Sequence, residues 1–213
     1  MTLKVNEIFT SLQGESSYSG LPCMFIRLTG CNLRCAWCDT KYVYYEGRDY
    51  ELNEIAGLIN GSDIGFIEFT GGEPLLQKEE LIRIIDNVDP EKTILLETNG
   101  SISLEGLPER VIKIVDYKLE GSGEGGSFLE ANLEFLRKND EIKFVLKDIS
   151  DYNEMREFCM KYDLCRRCGV LVSKTTDSQI SDREIAEAIL KDRLNVRYQI
   201  QLHKYIWKDE RRR

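Results

Sequence analysis

The sequence predicts an α/β fold in a single domain covering residues 1–213. Short apolar runs rich in β-branched residues alternate along the chain with segments of helical periodicity. This alternation is typical of parallel sheets, in which helices form the crossovers between neighbouring strands. A length of 213 residues and a hydrophobic content of 42% are also sufficient for one sizeable core.

The predicted elements follow one another in a regular order. The predicted strands are Met24–Thr29, Phe66–Thr70, Thr93–Glu97, Val111–Asp116, Ile142–Leu146, Gly169–Val172 and Val196–Leu202. The predicted helices are Glu51–Asn60, Lys78–Asn87, Leu129–Lys138, Asp151–Tyr162 and Ser181–Arg193. The link between the third and fourth strands contains Gly100, Gly106 and Pro108 and is too short for a full helix, so we expect an incomplete helical layer.

Composition argues against several classes of partner. A net charge of −8 disfavours phosphate backbones, so we expect no direct nucleic-acid partner. No apolar run reaches the ~18 residues of a membrane span, and the start of the sequence lacks a signal-peptide pattern. We therefore expect a cytoplasmic protein without membrane contact. The short basic segment K-D-E-R-R-R at the end of the sequence is predicted to be a solvated tail without a role.

A cysteine motif follows the first predicted strand. Cys31, Cys35 and Cys38 have the spacing C-x3-C-x2-C and offer three thiolates to one centre. Iron–sulfur clusters usually take four cysteine ligands, so three imply an external ligand or an iron with an open coordination site. A structural zinc ion and three unrelated thiols are the alternatives.

Further polar loops follow the next three strands. They begin at Thr70, Glu97 and Asp116, and each continues the chain directly after a buried apolar run. Ligands bind at the carboxyl ends of the strands in parallel α/β folds. We therefore expect these loops and the cysteine motif to share one edge of the sheet.

The combination of C-x3-C-x2-C with G-G-E-P at 71–74 resembles the radical S-adenosylmethionine superfamily. The resemblance implies a [4Fe-4S] cluster on the three cysteines, with S-adenosylmethionine chelating the fourth iron and an external flavodoxin- or ferredoxin-type electron donor. One-electron cleavage of the sulfonium then gives a 5′-deoxyadenosyl radical. In this interpretation Gly72 lets the backbone approach the cosubstrate and Glu73 accepts from its ammonium group. Trp37 matches an aromatic position near the adenine, with simple packing as the alternative.

A narrower resemblance covers most of the chain. The segments E-I-F-T-S-L-Q-G-E-S, R-L-T-G-C-N-L-R-C-A-W-C-D-T, E-T-N-G and Q-L-H-K resemble the 7-carboxy-7-deazaguanine synthase family. This resemblance implies a homodimeric lyase with a partial, modified (β/α) barrel. Its reaction converts 6-carboxy-5,6,7,8-tetrahydropterin into 7-carboxy-7-deazaguanine with loss of ammonia, on the route to queuosine or archaeosine. The alternatives are a radical activase acting on a protein glycine and a non-enzymatic metal- or cluster-binding scaffold.

The family resemblance also implies substrate contacts, namely Leu12, Gln13, Gly14, Arg27 and Thr70. A planar guanidinium suits a carboxylate, and an isolated arginine inside the apolar strand F-I-R-L requires an anion. An internal salt bridge is the alternative for the arginine, and a simple turn is the alternative for the Gln-Gly pair.

The remaining implied contacts are Thr40 for Mg²⁺, Asp116, Tyr117, Lys118 and Ser173 for S-adenosylmethionine, and His203 for the substrate. Magnesium prefers hard oxygen ligands, so one hydroxyl completed by substrate oxygens is sufficient, although the same threonine is also a good helix cap. Two positions depart from the family pattern. Many members carry Ser-Pro-Lys at 116–118, and some end soon after the last strand in a proline whose carboxylate touches the substrate, whereas this chain has no such proline. A lone histidine also has a purely structural alternative.

A second set of cysteines, Cys159, Cys165 and Cys168, has the spacing C-x5-C-x2-C. Zinc or an auxiliary cluster is conceivable there, but no fourth ligand is evident in the surrounding sequence. We therefore expect ordinary thiols.

Overall fold

The computed structural model of this protein describes residues 1–208 and 210–212. In this part of the chain one sheet contains all the strands: β1 (Thr2–Leu12), β2 (Pro22–Leu28), β3 (Arg48–Glu51), β4 (Phe66–Gly71), β5 (Thr93–Thr98), β6 (Val111–Tyr117), β7 (Glu141–Leu146), β8 (Gly169–Lys174) and β9 (Arg197–Tyr198). Their order is β3-β1-β2-β4-β5-β6-β7-β8-β9. The sheet is open, because β3 and β9 end it without pairing to each other.

Seven neighbouring strands of this sheet are parallel. The run from β2 to β9 pairs in parallel throughout, whereas β1 is antiparallel to both β2 and β3. The carboxyl ends of the parallel strands therefore meet at one edge. This arrangement confirms the predicted α/β fold and partial barrel.

Helices cover the sheet unevenly. The helices are α1 (Leu52–Asn60), α2 (Lys78–Asp86), α3 (Ile149–Tyr162), α4 (Leu164–Arg167), α5 (Asp182–Asp192) and α6 (Leu202–Trp207). Their apolar faces pack on the sheet, as shown by fully buried Ile55, Ile59, Leu81 and Ile84. The α5 helix begins at a capping box formed by Ser181 and Glu184. In the described residues no helix lies between β5 and β6, so the predicted incomplete helical layer is confirmed.

The predicted helix Leu129–Lys138 was wrong. Only a 3₁₀ helix forms there, over Glu130–Phe135. The cause is Asn132, which is fully buried and donates to the carbonyls of Gly100 and Ile102, both at 2.9 Å, while its Oδ1 accepts from the amide of Leu104 at 2.8 Å. These tertiary hydrogen bonds compete with a regular helix.

The two edges of the sheet also differ from the sequence prediction. Strands β1 and β3 were missed, because alternating polar residues give β1 the appearance of a half-exposed segment. The predicted strand Val196–Leu202 is reduced to β9, and the Q-L-H-K segment starts helix α6 instead of ending a strand. The amide of Leu202 donates to the carbonyl of Gly14 at 2.8 Å, which turns the chain towards β1.

Across residues 1–208 and 210–212, no helix is both long and apolar enough to span a bilayer.

Candidate active site

A cavity of 470 Å³ opens at the carboxyl ends of the parallel strands. Most of the residues predicted from the sequence line it: Leu12, Gln13, Gly14, Arg27, Cys31, Cys35, Trp37, Cys38, Thr40, Thr70, Gly72, Asp116, Lys118 and His203. Glu73, Tyr117 and Ser173 are not among its lining residues. The fold therefore brings residues from distant parts of the sequence to one edge of the sheet, as expected for a parallel α/β protein.

The three cysteines of the C-x3-C-x2-C motif lie in a loop after β2. Their thiols are half-buried, free of disulfides, and face the same cavity. Burial raises the pKa of the Cys31 and Cys35 thiols, and the nearby Lys118 ammonium opposes this rise at both. The amide of Ala36, inside the loop, donates to the carbonyl of Ser122 at 2.9 Å and so anchors the loop.

The G-G-E-P loop packs directly against the cysteine loop. A Cβ atom added at Gly72 would collide with the carbonyl of Gly30 and with Cys31. Gly71 has a φ of 146° and lies equally close to the backbone of Leu28. Both positions require glycine, the first for space and the second also for conformation.

The Glu73 side chain holds this loop in place through hydrogen bonds. It is fully buried, and its carboxylate accepts from the amide of Leu75 at 2.9 Å, the hydroxyl of Thr98 at 2.8 Å and the amide of Asn99 at 2.7 Å. Burial raises the pKa of Glu73, and these hydrogen bonds oppose the rise. In this structure the carboxylate joins the ends of β4 and β5, while its contact to a cosubstrate ammonium stays a prediction.

Arg27 lies on β2 opposite Glu7 of β1 and beside Thr70 of β4. Its Nε donates to Glu7 at 2.9 Å, and its side chain is 17% exposed in the cavity wall. The salt bridge weighed as an alternative is therefore present. In the described part of the chain, neither Nη atom of Arg27 has a hydrogen-bond acceptor. The Nε edge of the guanidinium is thus bound to Glu7, and the edge with the two Nη atoms is left for a ligand in the cavity.

The Q-G-E loop after β1 is tightly constrained. The Gln13 side chain donates to Glu68 and accepts from the amide of Glu15 at 2.5 Å, so its amide is already occupied within the protein. A Cβ atom at Gly14 would collide with the ring of His203. His203 therefore packs on this loop at the cavity wall, and burial lowers its pKa while Glu15 opposes that shift.

A cluster of charged residues lies in the cavity wall, and two of them, Lys143 and Glu15, were not singled out from the sequence. Lys143 is only 5% exposed and its Nζ lies 2.7 Å from Glu15, 2.5 Å from Glu97 and 3.3 Å from Asp116. Burial alone would lower the pKa of Lys143, but these carboxylates raise it well above its usual value. Lys118 also pairs with Asp116, at 2.8 Å. The available signal for this lysine was a charge inside the otherwise apolar run of β7, which requires a counter-charge when it is buried.

Glu68 is a further buried carboxyl group in this wall. It lies next to Gln13, and burial together with repulsion from Glu97 raises its pKa to about 8, although Gln13 and Lys143 oppose this. Glu68 is therefore mostly protonated at neutral pH.

Besides Glu73, two predicted cofactor residues lie outside the cavity lining, Tyr117 and Ser173. The Tyr117 ring packs in the core, with ring centroids 4.4 Å from Phe158 and 5.2 Å from both Phe128 and Phe144. The adjacent residues Asp116 and Lys118 line the cavity instead, because successive side chains of a strand point to opposite faces. Ser173 is buried, and its hydroxyl has no hydrogen-bond partner among the described residues.

Thr40 precedes the 3₁₀ helix Lys41–Tyr44 without capping it. Its side chain makes no capping hydrogen bond, and its Oγ1 lies 3.8 Å from the Cys38 sulfur. The alternative role as a cap is therefore not realised here. Trp37 also lines the cavity, and the Lys147 Nζ lies 6.0 Å from the centre of its ring.

Comparison with known proteins identifies the family. The profile of the Radical SAM superfamily matches residues 25–123. A 7-carboxy-7-deazaguanine synthase of Koribacter versatilis is 42% identical, covering 98% of each chain, and one of Thermoplasma acidophilum is 39% identical, covering 96% of this chain and 97% of the relative. The chain belongs to the 7-carboxy-7-deazaguanine synthase family. The crystal structure of QueE from Escherichia coli shares the fold, with a TM-score of 0.75 at 22% identity over 93% of this chain and 94% of that one.

Membership of the radical S-adenosylmethionine superfamily implies a [4Fe-4S] cluster and S-adenosylmethionine as cofactors. The cavity of this family member fits them chemically, since three free thiols open onto it and Gly72 offers bare backbone beside them. Over the described ranges, no group of three or more His, Cys, Asp or Glu side chains is arranged to hold a single metal ion.

The second cysteine set lies away from the cavity of this synthase-family chain. Cys159 and Cys168 are buried, Cys165 is half-buried, and all three are free thiols. The expectation that they are ordinary thiols stays a prediction. Cys159 lies in α3, Cys165 in α4 and Cys168 directly before β8, and none of them lines the cavity.

We predict that Gly72→Ala prevents cluster assembly, because the added methyl group displaces Gly30 and Cys31. Iron per chain after anaerobic reconstitution should fall at least several-fold, with a matching loss of S-adenosylmethionine binding. Gly57→Ala in helix α1 is the matched control, since nothing lies within 4 Å of the added atom. Full iron loading of Gly72→Ala would contradict the close-packing argument.

Glu68 gives a prediction about pH and stability. Its pKa is about 8 in the folded protein and near the ordinary value of 4.5 when unfolded, so the folded state binds the extra proton. Its contribution to stability is complete below pH 4.5 and is lost as pH rises to about 8, with a slope of at most ~1.4 kcal/mol per pH unit. Urea unfolding should show that Glu68→Gln gains stability relative to the wild-type chain over this range. Glu105→Gln, at an exposed loop position, should show no such trend, and parallel curves for both variants would refute the assignment.

Proposed function

We propose that this chain is a lyase that converts 6-carboxy-5,6,7,8-tetrahydropterin to 7-carboxy-7-deazaguanine with release of ammonia. The observation that carries this proposal is that the three cysteines and the residues matched to substrate contacts open onto one cavity. The relatives of similar length bear this name, whereas the radical activase and the scaffold find no support among them. The product belongs to 7-deazapurine synthesis, upstream of queuosine or archaeosine.

The cofactor end of the cavity is assigned to the cysteine loop and its neighbours. Cys31, Cys35 and Cys38 would hold the cluster, and Gly72 would contact S-adenosylmethionine. When bound, these groups supply the one-electron chemistry that starts the reaction, and the protein positions the substrate. Asp116 and Lys118 face the same space, and Trp37 offers a flat apolar surface. The packed ring of Tyr117 leaves only its backbone for this role, and Ser173 offers a buried hydroxyl.

The substrate end is assigned to the wall formed by β1, β2 and β4. The two Nη atoms of Arg27 suit the substrate carboxylate, because a guanidinium binds carboxylates through two parallel hydrogen bonds. Leu12, Gln13 and Gly14 would contact the pterin from this wall. Hydrogen bonds of the Gln13 side chain to Glu68 and Glu15 hold the segment in place, as do those of its backbone to Leu21 and Gly20. Thr70 beside Arg27 and His203 above Gly14 complete this wall.

We also propose that Mg²⁺ binds at Thr40 together with substrate oxygens and water. The support is a half-exposed hydroxyl in the cavity wall that is not used as a cap. A flavodoxin- or ferredoxin-type protein as electron donor, a homodimeric assembly and a cytoplasmic location complete the proposal.

The central experiment is anaerobic reconstitution with dithionite, S-adenosylmethionine, Mg²⁺ and the carboxytetrahydropterin. We expect an absorbance band at about 400 nm and formation of 7-carboxy-7-deazaguanine in excess of 5′-deoxyadenosine, since the cosubstrate is regenerated in this family. Cys31→Ala should lose both the band and the product. Cys165→Ser, which changes a thiol outside the cavity, should retain both. A fully loaded, reducible cluster without turnover would refute the function.

The magnesium assignment is tested by changing the hydroxyl at position 40. Thr40→Ala removes the proposed ligand, so the Mg²⁺ concentration for half-maximal turnover should rise about tenfold or more, equivalent to ~1.4 kcal/mol of binding. Thr40→Ser keeps the oxygen and should stay close to the wild-type value. Both variants should keep the 400 nm band. An unchanged Mg²⁺ requirement in Thr40→Ala would remove this residue from the site.

A further inference from the structure

The basic end of the sequence is docked on the protein. Arg211 places its Nε 3.3 Å from Glu7 and its Nη2 2.8 Å from Glu46, and its guanidinium carbon lies 3.7 Å from the centre of the Tyr42 ring. Arg212 places its Nε 3.2 Å from the same Glu7 oxygen. The described residues of this segment, Lys208, Glu210, Arg211 and Arg212, are exposed, as expected for a solvated tail, but the two arginines also bind the protein. The lysine and arginine run alone did not reveal that its acceptors lie about 200 residues away.

Glu7 is the point on which these contacts converge. Its side chain is 1% exposed, so the charge is removed from water and needs compensating donors. One oxygen accepts from Arg27 and from the Tyr42 hydroxyl, both at 2.9 Å, and the other accepts from Arg211 and Arg212. Both oxygens are thus saturated, but by separate sets of donors.

This division of donors determines how Arg27 is held. An arginine facing a carboxylate with two open oxygens prefers the paired geometry, in which two of its nitrogens are used. Here the second oxygen of Glu7 is already taken by the arginines from the end of the sequence. Arg27 therefore contributes only its Nε, and its Nη atoms stay available at the cavity wall.

Arg211 also contacts a second part of the site. Glu46 and Tyr42 belong to the segment 40–46, which begins at Thr40, and the Glu46 carbonyl accepts from the hydroxyl of Thr29 at 2.8 Å. By binding Glu46 and stacking on Tyr42, Arg211 ties this segment to β1. Cation and ring contacts of this kind stabilise most when the ring is partly buried.

We propose that Arg211 and Arg212 are positioning residues for substrate binding, which act by saturating Glu7 and thereby leaving the Nη atoms of Arg27 free for the substrate carboxylate. This role rests on the proposed function, because it assigns that carboxylate to Arg27. It places part of the specificity for a carboxylated pterin in residues that do not line the cavity.

The test compares R211Q/R212Q with R166Q/R183Q, a control that removes two exposed arginines from helices α4 and α5. We expect the KM for the carboxytetrahydropterin to rise about tenfold in R211Q/R212Q, with kcat within about twofold of wild type. The control should match wild type. The inhibition constant of tetrahydropterin, which lacks the carboxylate, should be the same in all three proteins.

A charge-removing substitution at Glu7 provides the second arm. In E7Q/R211Q/R212Q the neutral amide no longer attracts both edges of Arg27, so the KM should return towards the wild-type value. An unchanged KM in R211Q/R212Q, or an equal loss of affinity for tetrahydropterin, would overturn the positioning role while leaving the proposed function standing. Absence of turnover in the wild-type chain with a reducible cluster would overturn both.

Discussion

The site depends on the direct packing of the cysteine loop against the G-G-E-P loop. The two loops can approach each other because Gly72 has no side chain. The G-G-E-P loop is held in place because the buried Glu73 carboxylate accepts three hydrogen bonds from the protein. A buried carboxyl group without these donors would cost several kcal/mol, so the loop has little freedom to leave its place. Thiols on one loop and bare backbone on the other are thereby fixed at the same edge of the sheet, where the remaining strand ends add their residues.

Charge compensation organises the rest of the cavity. Two lysines, Lys143 and Lys118, face three carboxylates, Glu15, Glu97 and Asp116, so acids outnumber bases in this cluster. Glu68 relieves part of this excess, because its raised pKa keeps it mostly neutral. The arrangement holds the side chains rigid through many hydrogen bonds, which suits a site that must hold substrate and cosubstrate in register. It also means that removing a single partner exposes the others to uncompensated repulsion.

The sequence predicted the central strands and the cysteine loop well because both are encoded locally, by apolar runs and by close spacing. The ionic floor was missed, because Lys143 is separated from Glu15 by 128 residues and from Glu97 by 46. No spacing rule connects such residues before the sheet is assembled. The helix expected around Asn132 failed for a related reason, since its periodicity was correct but three tertiary hydrogen bonds prevailed. His203 came to the predicted site from a helix instead of a strand.

The two buried glutamates Glu73 and Glu7 take their hydrogen-bond donors from different distances along the sequence. Glu73 takes its donors from its own turn and the adjacent strand end, so its environment forms as soon as β4 and β5 pair. Glu7 takes two of its donors from residues more than 200 positions away, on exposed arginines whose attraction is screened by salt. Saturation of Glu7 therefore requires that Arg211 and Arg212 are docked on β1. This couples the orientation of Arg27 to ionic strength in a way that the cluster end of the cavity does not share.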